Sequence, residues 1–124
     1  MAKAFGIVLV SHINELASGL HTLVKQGASD TPVTYAGGTD DDGIGSSFDK
    51  IMKAVEENDA DHLYAFYDLG SAKMTLEMVS EMSDKSIEIK DCAFIEGAYT
   101  AGVLIGAGND KESIDEQLKP LEVK

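Results

Sequence analysis

Gly6-Ile7-Val8-Leu9-Val10 is an unbroken apolar run that stops at Ser11-His12, after which apolar residues recur at helical spacing: Leu16, Ala17, Leu20, Leu23, Val24. A short continuous apolar run reads as a strand buried on both faces, and the change of period that follows reads as a strand handing over to an amphipathic helix. His12 therefore stands at the carboxyl end of a buried strand, the position from which α/β proteins usually do their chemistry.

The alternation repeats along the chain. Strand one is expected over about residues 5–11 and helix one over about 12–27, with Gly27 as its C-terminal stop. Strand two is the short Val33–Ala36, which runs into the loop Gly37–Gly45. Ser46 or Ser47 can cap helix two, whose apolar positions are Phe48, Ile51, Met52 and Val55. After an acidic turn at Glu56–Asp61 comes strand three, His62–Tyr67, closed by Asp68-Leu69-Gly70-Ser71. Helix three turns Ala72, Leu76, Val79 and Met82 inward, strand four covers about Ser86–Lys90, and Phe94–Gly106 is a small-residue apolar helix. Asn109-Asp110-Lys111-Glu112 resembles a capping box for a last helix with Ile114, Leu118 and Leu121 inward. Such a sequence predicts one α/β domain over residues 1–124, a mainly parallel sheet of about four strands with helices on both faces and right-handed crossovers. The loops after strands one, two and three then share one sheet edge, which collects His12, the glycine-rich loop and Asp68–Ser71. His62 falls at the opposite edge, and His21, nine residues beyond His12, is expected to be exposed; neither is assigned chemistry.

Composition narrows the function. The formal net charge of −12 argues against nucleic acid and membrane surfaces as partners. No apolar run approaches the ~20 residues that span a bilayer, a secretory leader pattern is missing, and the single Cys92 has no internal disulfide partner; a cytoplasmic protein is expected. Cys92 reads as a small buried residue. All ten basic residues are lysines. Without arginine the chain has no guanidinium fork for phosphoryl oxygens and no arginine finger, so any phosphate it handles must be met by main-chain N–H groups and helix N-termini.

His12 fits that constraint. A neutral imidazole is a nucleophile near pH 7 and can carry a phosphoryl group without metal, provided an acceptor holds its other ring nitrogen. Asp68 is that acceptor if strands one and three are neighbours; the sequence leaves open which nitrogen attacks. Gly38 and Thr39 of the glycine-rich loop, and Gly70 and Ser71 at the start of helix three, are candidates to present N–H groups to a phosphoryl group. The loop matches neither the Walker nor the dinucleotide pattern. Asp40-Asp41-Asp42 has no repeating ligand spacing, so no metal site is expected. Met74 and Met78 lie off the core face of helix three and read as packing or an oligomer contact.

Ser11-His12, Gly38-Thr39-Asp40 with Gly43-Ile44-Gly45-Ser46, Asp68-Leu69-Gly70-Ser71-Ala72 and Phe94-Ile95-Glu96-Gly97-Ala98 occur in an order that resembles the DhaM family, the phosphotransfer subunits of phosphoenolpyruvate-dependent dihydroxyacetone kinases, over essentially the whole chain. The resemblance implies the mannose-type enzyme IIA fold with strand order 2-1-3-4, commonly as a homodimer. It implies that His12 takes a phosphoryl group from HPr, itself charged by enzyme I, and passes it to ADP held in the DhaL subunit. DhaL then phosphorylates dihydroxyacetone bound to DhaK, so the nucleotide and magnesium belong to DhaL and this chain binds no cofactor. Some members continue into HPr and enzyme I domains; this chain would use a separate HPr. The family tends to carry proline before Glu96-Gly97, where Ala93-Phe94 stands here. Mannose-type enzymes IIA that serve a sugar-transporter IIB share the histidine, but have a Gly-Gly-Ser-Pro type of turn where this chain has Asp-Leu-Gly-Ser-Ala. A phosphorylation-dependent regulatory module and an aspartate-based receiver are further alternatives, the last disfavoured because strand one ends in Ser-His rather than an acidic pair.

Overall fold

In the computed structural model, which describes residues 3–124, the elements follow one another as β1 (Lys3–Ser11), α1 (Asn14–Gly27), β2 (Val33–Gly37), α2 (Phe48–Glu57), β3 (Ala60–Tyr67), α3 (Gly70–Met82), β4 (Ser86–Lys90), α4 (Phe94–Gly106) and α5 (Lys111–Leu118), with a 3-10 turn at Lys119–Leu121. The strands form one parallel sheet in the expected order β2-β1-β3-β4. Alternate side chains of β1 point to opposite faces, which explains the unbroken apolar run. Val8 and Val10 pack under α2 and α3 with Ile51, Val55, Leu76 and Val79. Ile7 and Leu9 pack under α1, α4 and α5 with Leu20, Val24, Ala101, Ile114 and Leu118. Burying each such side chain contributes about 2 kcal/mol, so a polar residue at positions 7–10 of β1 would have no face to occupy.

Several boundaries differ from expectation, each for a local reason. α1 begins at Asn14 rather than residue 12, because Ile13 is extended (φ −130°, ψ 127°) and its N–H donates to Ser11 Oγ at 3.1 Å. His12 therefore sits in the turn, free of the helix. Gly27 is the last residue of α1 and not its stop; a Cβ there would lie 2.5 Å from the Tyr99 hydroxyl oxygen, so the glycine makes room for α4. β3 starts at Ala60, two residues before His62, because Asn58 Oδ1 accepts from the Ala60 N–H at 3.0 Å and starts the strand early. Ser47 caps α2 by accepting from the Lys50 N–H at 3.1 Å. Asp110 caps α5 by accepting from the Ser113 N–H at 2.9 Å, one residue later than the expected box.

The helical faces also need correction. Leu16 and Leu23 are exposed on α1, and Met82, expected inward, is 71% exposed on the side of α3 that carries Met74 and Met78. His21 is half-buried, since its Nε2–H donates to the Val33 carbonyl at 3.0 Å and so ties α1 to the edge strand. Cys92 is buried, and burial pushes its thiol pKa up. Among the described residues no helix is long and apolar enough to cross a membrane.

Asn58 joins three segments at the amino edge of the sheet: its Nδ2 donates to the Ile7 carbonyl at 3.0 Å and to Thr34 Oγ1 at 3.1 Å, while Oδ1 holds Ala60. Asn58→Ala leaves a buried acceptor and donor unpaired and should cost about 2–3 kcal/mol in urea unfolding, with the His12 environment, at the far edge, unchanged in NMR spectra.

Candidate active site

Register brings the carboxyl ends of three strands together. Ser11 is opposite Gly37 of β2, and Val10 is opposite Tyr67 of β3, so Ser11-His12 and Asp68 leave adjacent strands side by side. The Asp68 N–H donates to the Val10 carbonyl at 3.2 Å, which extends the ladder by one bond and sets the turn.

Asp68 is the hub. Its Oδ2 accepts from Ser11 Oγ at 2.8 Å and from the His12 N–H at 3.0 Å. Its Oδ1 accepts from His12 Nδ1 at 2.8 Å and from the Leu69 N–H at 2.7 Å. Burial alone would raise its pKa, but the His12 N–H, the His12 ring, the Ser11 hydroxyl and the Leu69 N–H together bring it below the ordinary carboxylate value. An ionised carboxylate only accepts, so Nδ1 carries the proton and the neutral ring leaves Nε2 with its lone pair free. Nε2 faces out of the sheet toward Ser71, whose hydroxyl hydrogen-bonds to it. Ser71 is the second residue of α3, after Gly70, so Nε2 points at the unpaired N–H groups and positive dipole end of that helix. This arrangement leaves Nε2 as the ring nitrogen able to act as a nucleophile, next to donors suited to a dianion.

The glycine-rich loop does something else. Gly37 is packed so closely that a Cβ would lie 2.6 Å from the Asn14 Cα, and Gly38 has a φ of 78°, open to glycine at no steric cost. The Gly38 N–H donates to the Ser11 carbonyl at 3.2 Å and the Thr39 N–H to the Gly43 carbonyl at 3.0 Å. Thr39 Oγ1 donates to Asp41 at 2.6 Å and accepts from the Gly43 N–H at 2.9 Å. The N–H groups expected to face a phosphoryl group at Gly38 and Thr39 are thus committed elsewhere, the first to the end of β1 and the second within the loop. What the loop gives the site is support, since the Gly45 N–H donates to the His12 carbonyl at 2.9 Å. The three aspartates diverge: Asp40 accepts from Ser47, Asp41 from Thr39, and Asp42 pairs with Lys50 at 2.7 Å. Among the described residues no three His, Cys, Asp or Glu side chains converge to hold a metal ion.

The structure therefore gathers His12, Asp68, Gly70 and Ser71, and leaves Gly38 and Thr39 beneath them as scaffold. Sequence reasoning missed Ser11, whose buried hydroxyl links Asp68 to the start of α1. A polar residue closing a fully apolar strand was the available signal. His62, as expected, lies toward the other edge, 3.0 Å from Glu88.

A central parallel sheet with a histidine held by a carboxylate at its carboxyl rim, facing a helix N-terminus, defines an enzyme IIA type of phosphotransfer domain. A model of the family described as PTS system fructose IIA component matches residues 6–115. The chain is 45% identical over 124 residues, the full length of both proteins, to the phosphoryl donor subunit DhaM of PEP-dependent dihydroxyacetone kinase 1 of Listeria innocua. It is 49% identical over 120 residues, 97% of this chain and 98% of the other, to the phosphotransferase subunit DhaM of the PTS-dependent dihydroxyacetone kinase of Lactococcus lactis. A crystal structure of a protein of unknown function, EF1359, superposes with a TM-score of 0.84 at 26% identity, covering 98% of this chain and 97% of that one. The chain belongs to the DhaM family, the phosphoryl donor subunits of PEP-dependent dihydroxyacetone kinases, within the fructose- and mannose-type enzymes IIA of the phosphotransferase system.

Because folding lowers the Asp68 pKa, the stabilisation it brings is present above the unfolded value of about 3.9 and is lost as pH falls through the depressed native value. A carboxyl ¹³C titration should place the Asp68 midpoint below about 3.9, and His12 should keep its Nδ1–H tautomer wherever the ring is neutral; a midpoint at or above that value would remove Asp68 as an anionic anchor.

Proposed function

We propose that this chain is a phosphohistidine relay that accepts a phosphoryl group from HPr on His12 Nε2 and passes it to ADP in a DhaL subunit, for phosphorylation of dihydroxyacetone on DhaK. The observation that carries this reading is the His12 ring itself: Nδ1 tied to Asp68 at 2.8 Å and Nε2 turned toward Ser71 at the α3 N-terminus. In the first transfer the Nε2 lone pair attacks phosphorus and the bond from phosphorus to the donor breaks, while the proton stays on Nδ1, hydrogen-bonded to the Asp68 carboxylate. In the second an oxygen of the ADP β-phosphate attacks, the P–N bond to Nε2 breaks, and neutral imidazole is restored. The nucleotide and its magnesium are DhaL's; this chain supplies the ring, its orientation and the helix-end N–H groups.

The surroundings favour a protein over a small molecule as the exchanging partner. Ile13, Ile44 and Leu69, neighbours of His12 in the loops of this edge, are 41%, 80% and 62% exposed. Clefts of about 350 Å³ beside β2 and about 510 Å³ near the start of β1 are lined by other residues. A mostly buried ring, its side chain 14% exposed, that opens between exposed apolar neighbours suits direct contact with another protein. The acidity of the chain, Asp40–Asp42 included, suits a basic face on HPr and repels free anions. The same charge disfavours anionic membrane surfaces and nucleic acid as partners, and the lone, buried Cys92 is in keeping with a cytoplasmic place for the relay. Exposed Leu16, Leu23, Ile95 and Tyr99 on α1 and α4 support subunit contact in a homodimer.

Incubation with phosphoenolpyruvate, enzyme I and HPr should add one phosphoryl group to the wild type and none to His12→Ala by intact mass. ADP-loaded DhaL should discharge it, and sugar-transporter IIB proteins should not. Asp68→Ala should slow uptake about 10- to 100-fold, the range typical when a ring nitrogen loses its orienting partner, without unfolding the domain. Transfer by the His12→Ala protein would overturn the reading.

A further inference from the structure

The proposed relay sets two anions side by side, the Asp68 carboxylate and a phosphoryl dianion on His12, in a chain that has no arginine. Among the described residues, one lysine hydrogen-bonds to the Asp68 turn. Lys124 Nζ donates to the Asp68 carbonyl at 3.1 Å and to the Tyr67 carbonyl, and it lies 4.2 Å from the centroid of the Tyr67 ring.

Main-chain bonds hold residues 121–124 against the segment that follows β4. The Ala93 N–H donates to the Leu121 carbonyl at 2.8 Å, and the Val123 and Lys124 N–H groups donate to the Asp91 carbonyl at 3.1 and 3.2 Å. Glu122 forms an antiparallel bridge with Cys92. The Asp91 carboxylate in turn accepts from the Tyr67 hydroxyl and pairs with Lys73, in the first turn of α3, at 2.9 Å. From residues 121–124, held beside Asp91–Ala93, the Lys124 side chain therefore reaches the end of β3.

The other lysines close to this edge are already matched to carboxylates, Lys73 to Asp91 and Lys50 to Asp42. The Lys124 ammonium meets only uncharged groups, the Tyr67 and Asp68 carbonyls and the Tyr67 ring, and among the described residues it forms no ion pair within 4.0 Å. Burial draws its pKa below the ordinary lysine value, while the charges of Asp68 and Asp91 oppose that fall. Its charge is therefore available to the site.

We propose that Lys124 is a positioning residue of the relay: it clamps the main-chain turn from which Asp68 and α3 emerge, and its positive charge offsets the negative charge that accumulates when His12 is phosphorylated. This rests on the reading of His12 as the phosphoryl carrier. A charge-assisted hydrogen bond is about twice as strong as a neutral one, and a nearby cation is attracted to an added phosphoryl dianion but not to the uncharged ring it replaces, so a cation here acts on the phosphorylated form more than on the free form.

The test compares the wild type with Lys124→Met and Lys124→Arg. Each is equilibrated with HPr at fixed ratios of phosphorylated to unphosphorylated carrier, and the phosphorylated fraction is read by intact mass together with the rate of approach. Lys124 lies outside both hydrophobic cores, so the variants should fold; melting temperatures verify this. Lys124→Met should lower the phosphorylation equilibrium constant about tenfold, the effect of roughly 1.4 kcal/mol, and Lys124→Arg should recover most of it. A purely structural role would lower the melting temperature and leave the equilibrium constant in place. The inference is overturned if Lys124→Met matches the wild type, or if the Arg and Met variants are equally impaired. Failure of the wild type to take up any phosphoryl group would instead strike down the His12 reading, and this inference with it.

Discussion

Four hydrogen bonds converge on one carboxylate, and the chemistry of the molecule follows from them. Asp68 draws in the Ser11 hydroxyl, the His12 N–H and ring, and its own neighbour Leu69 N–H, which fixes the end of β1 to the end of β3 and decides which nitrogen of the ring carries a proton. Without it the imidazole would rotate and exchange tautomers, and neither nitrogen would present a lasting lone pair to the α3 N-terminus. The carboxylate accepts so many donors only because burial is moderate: deep enough for the bonds to count, shallow enough for the charge to persist.

The rest of the fold serves this contact. Parallel strands end together at one edge, and a continuous apolar β1 can sit only in the middle of a sheet covered on both faces. With β1 between β2 and β3, its carboxyl end meets both the glycine loop and Asp68. The loop props His12 from below through Gly45, while α3 approaches with its N-terminus forward. Helix dipole, tautomer and open surface are thus products of one topology.

The charge pattern fits a donor subunit that must release what it holds. A site that binds a phosphoryl group strongly in its resting state would raise the barrier to handing it on. In the proposed relay, helix-end N–H groups and a hydroxyl would provide only modest stabilisation, and the acidic surface would keep free anions away.

Much of this was legible in the residues. The apolar run, the change to helical spacing, the glycine stops and the order of strands and helices determined a parallel α/β sheet, and His12 and Asp68 fell at strand ends that such a sheet must bring to one edge. Local signals placed helix ends less well, because they were settled by contacts the sequence does not display: Ser11 Oγ on Ile13, Asn58 on Ala60, Tyr99 against Gly27. Leu16, Leu23 and Met82 show the same limit, since periodicity finds an apolar stripe but not which part of it the neighbouring helices cover. Which ring nitrogen faces the start of α3, the commitment of the Gly38 N–H to Ser11 and of the Thr39 N–H to Gly43, and the arrival of Lys124 beneath Asp68 were decided by tertiary structure alone. Each depends on which of several possible hydrogen-bond partners lies within about 3 Å, and that distance is set by the packing of segments more than twenty residues apart or by the exact path of a loop.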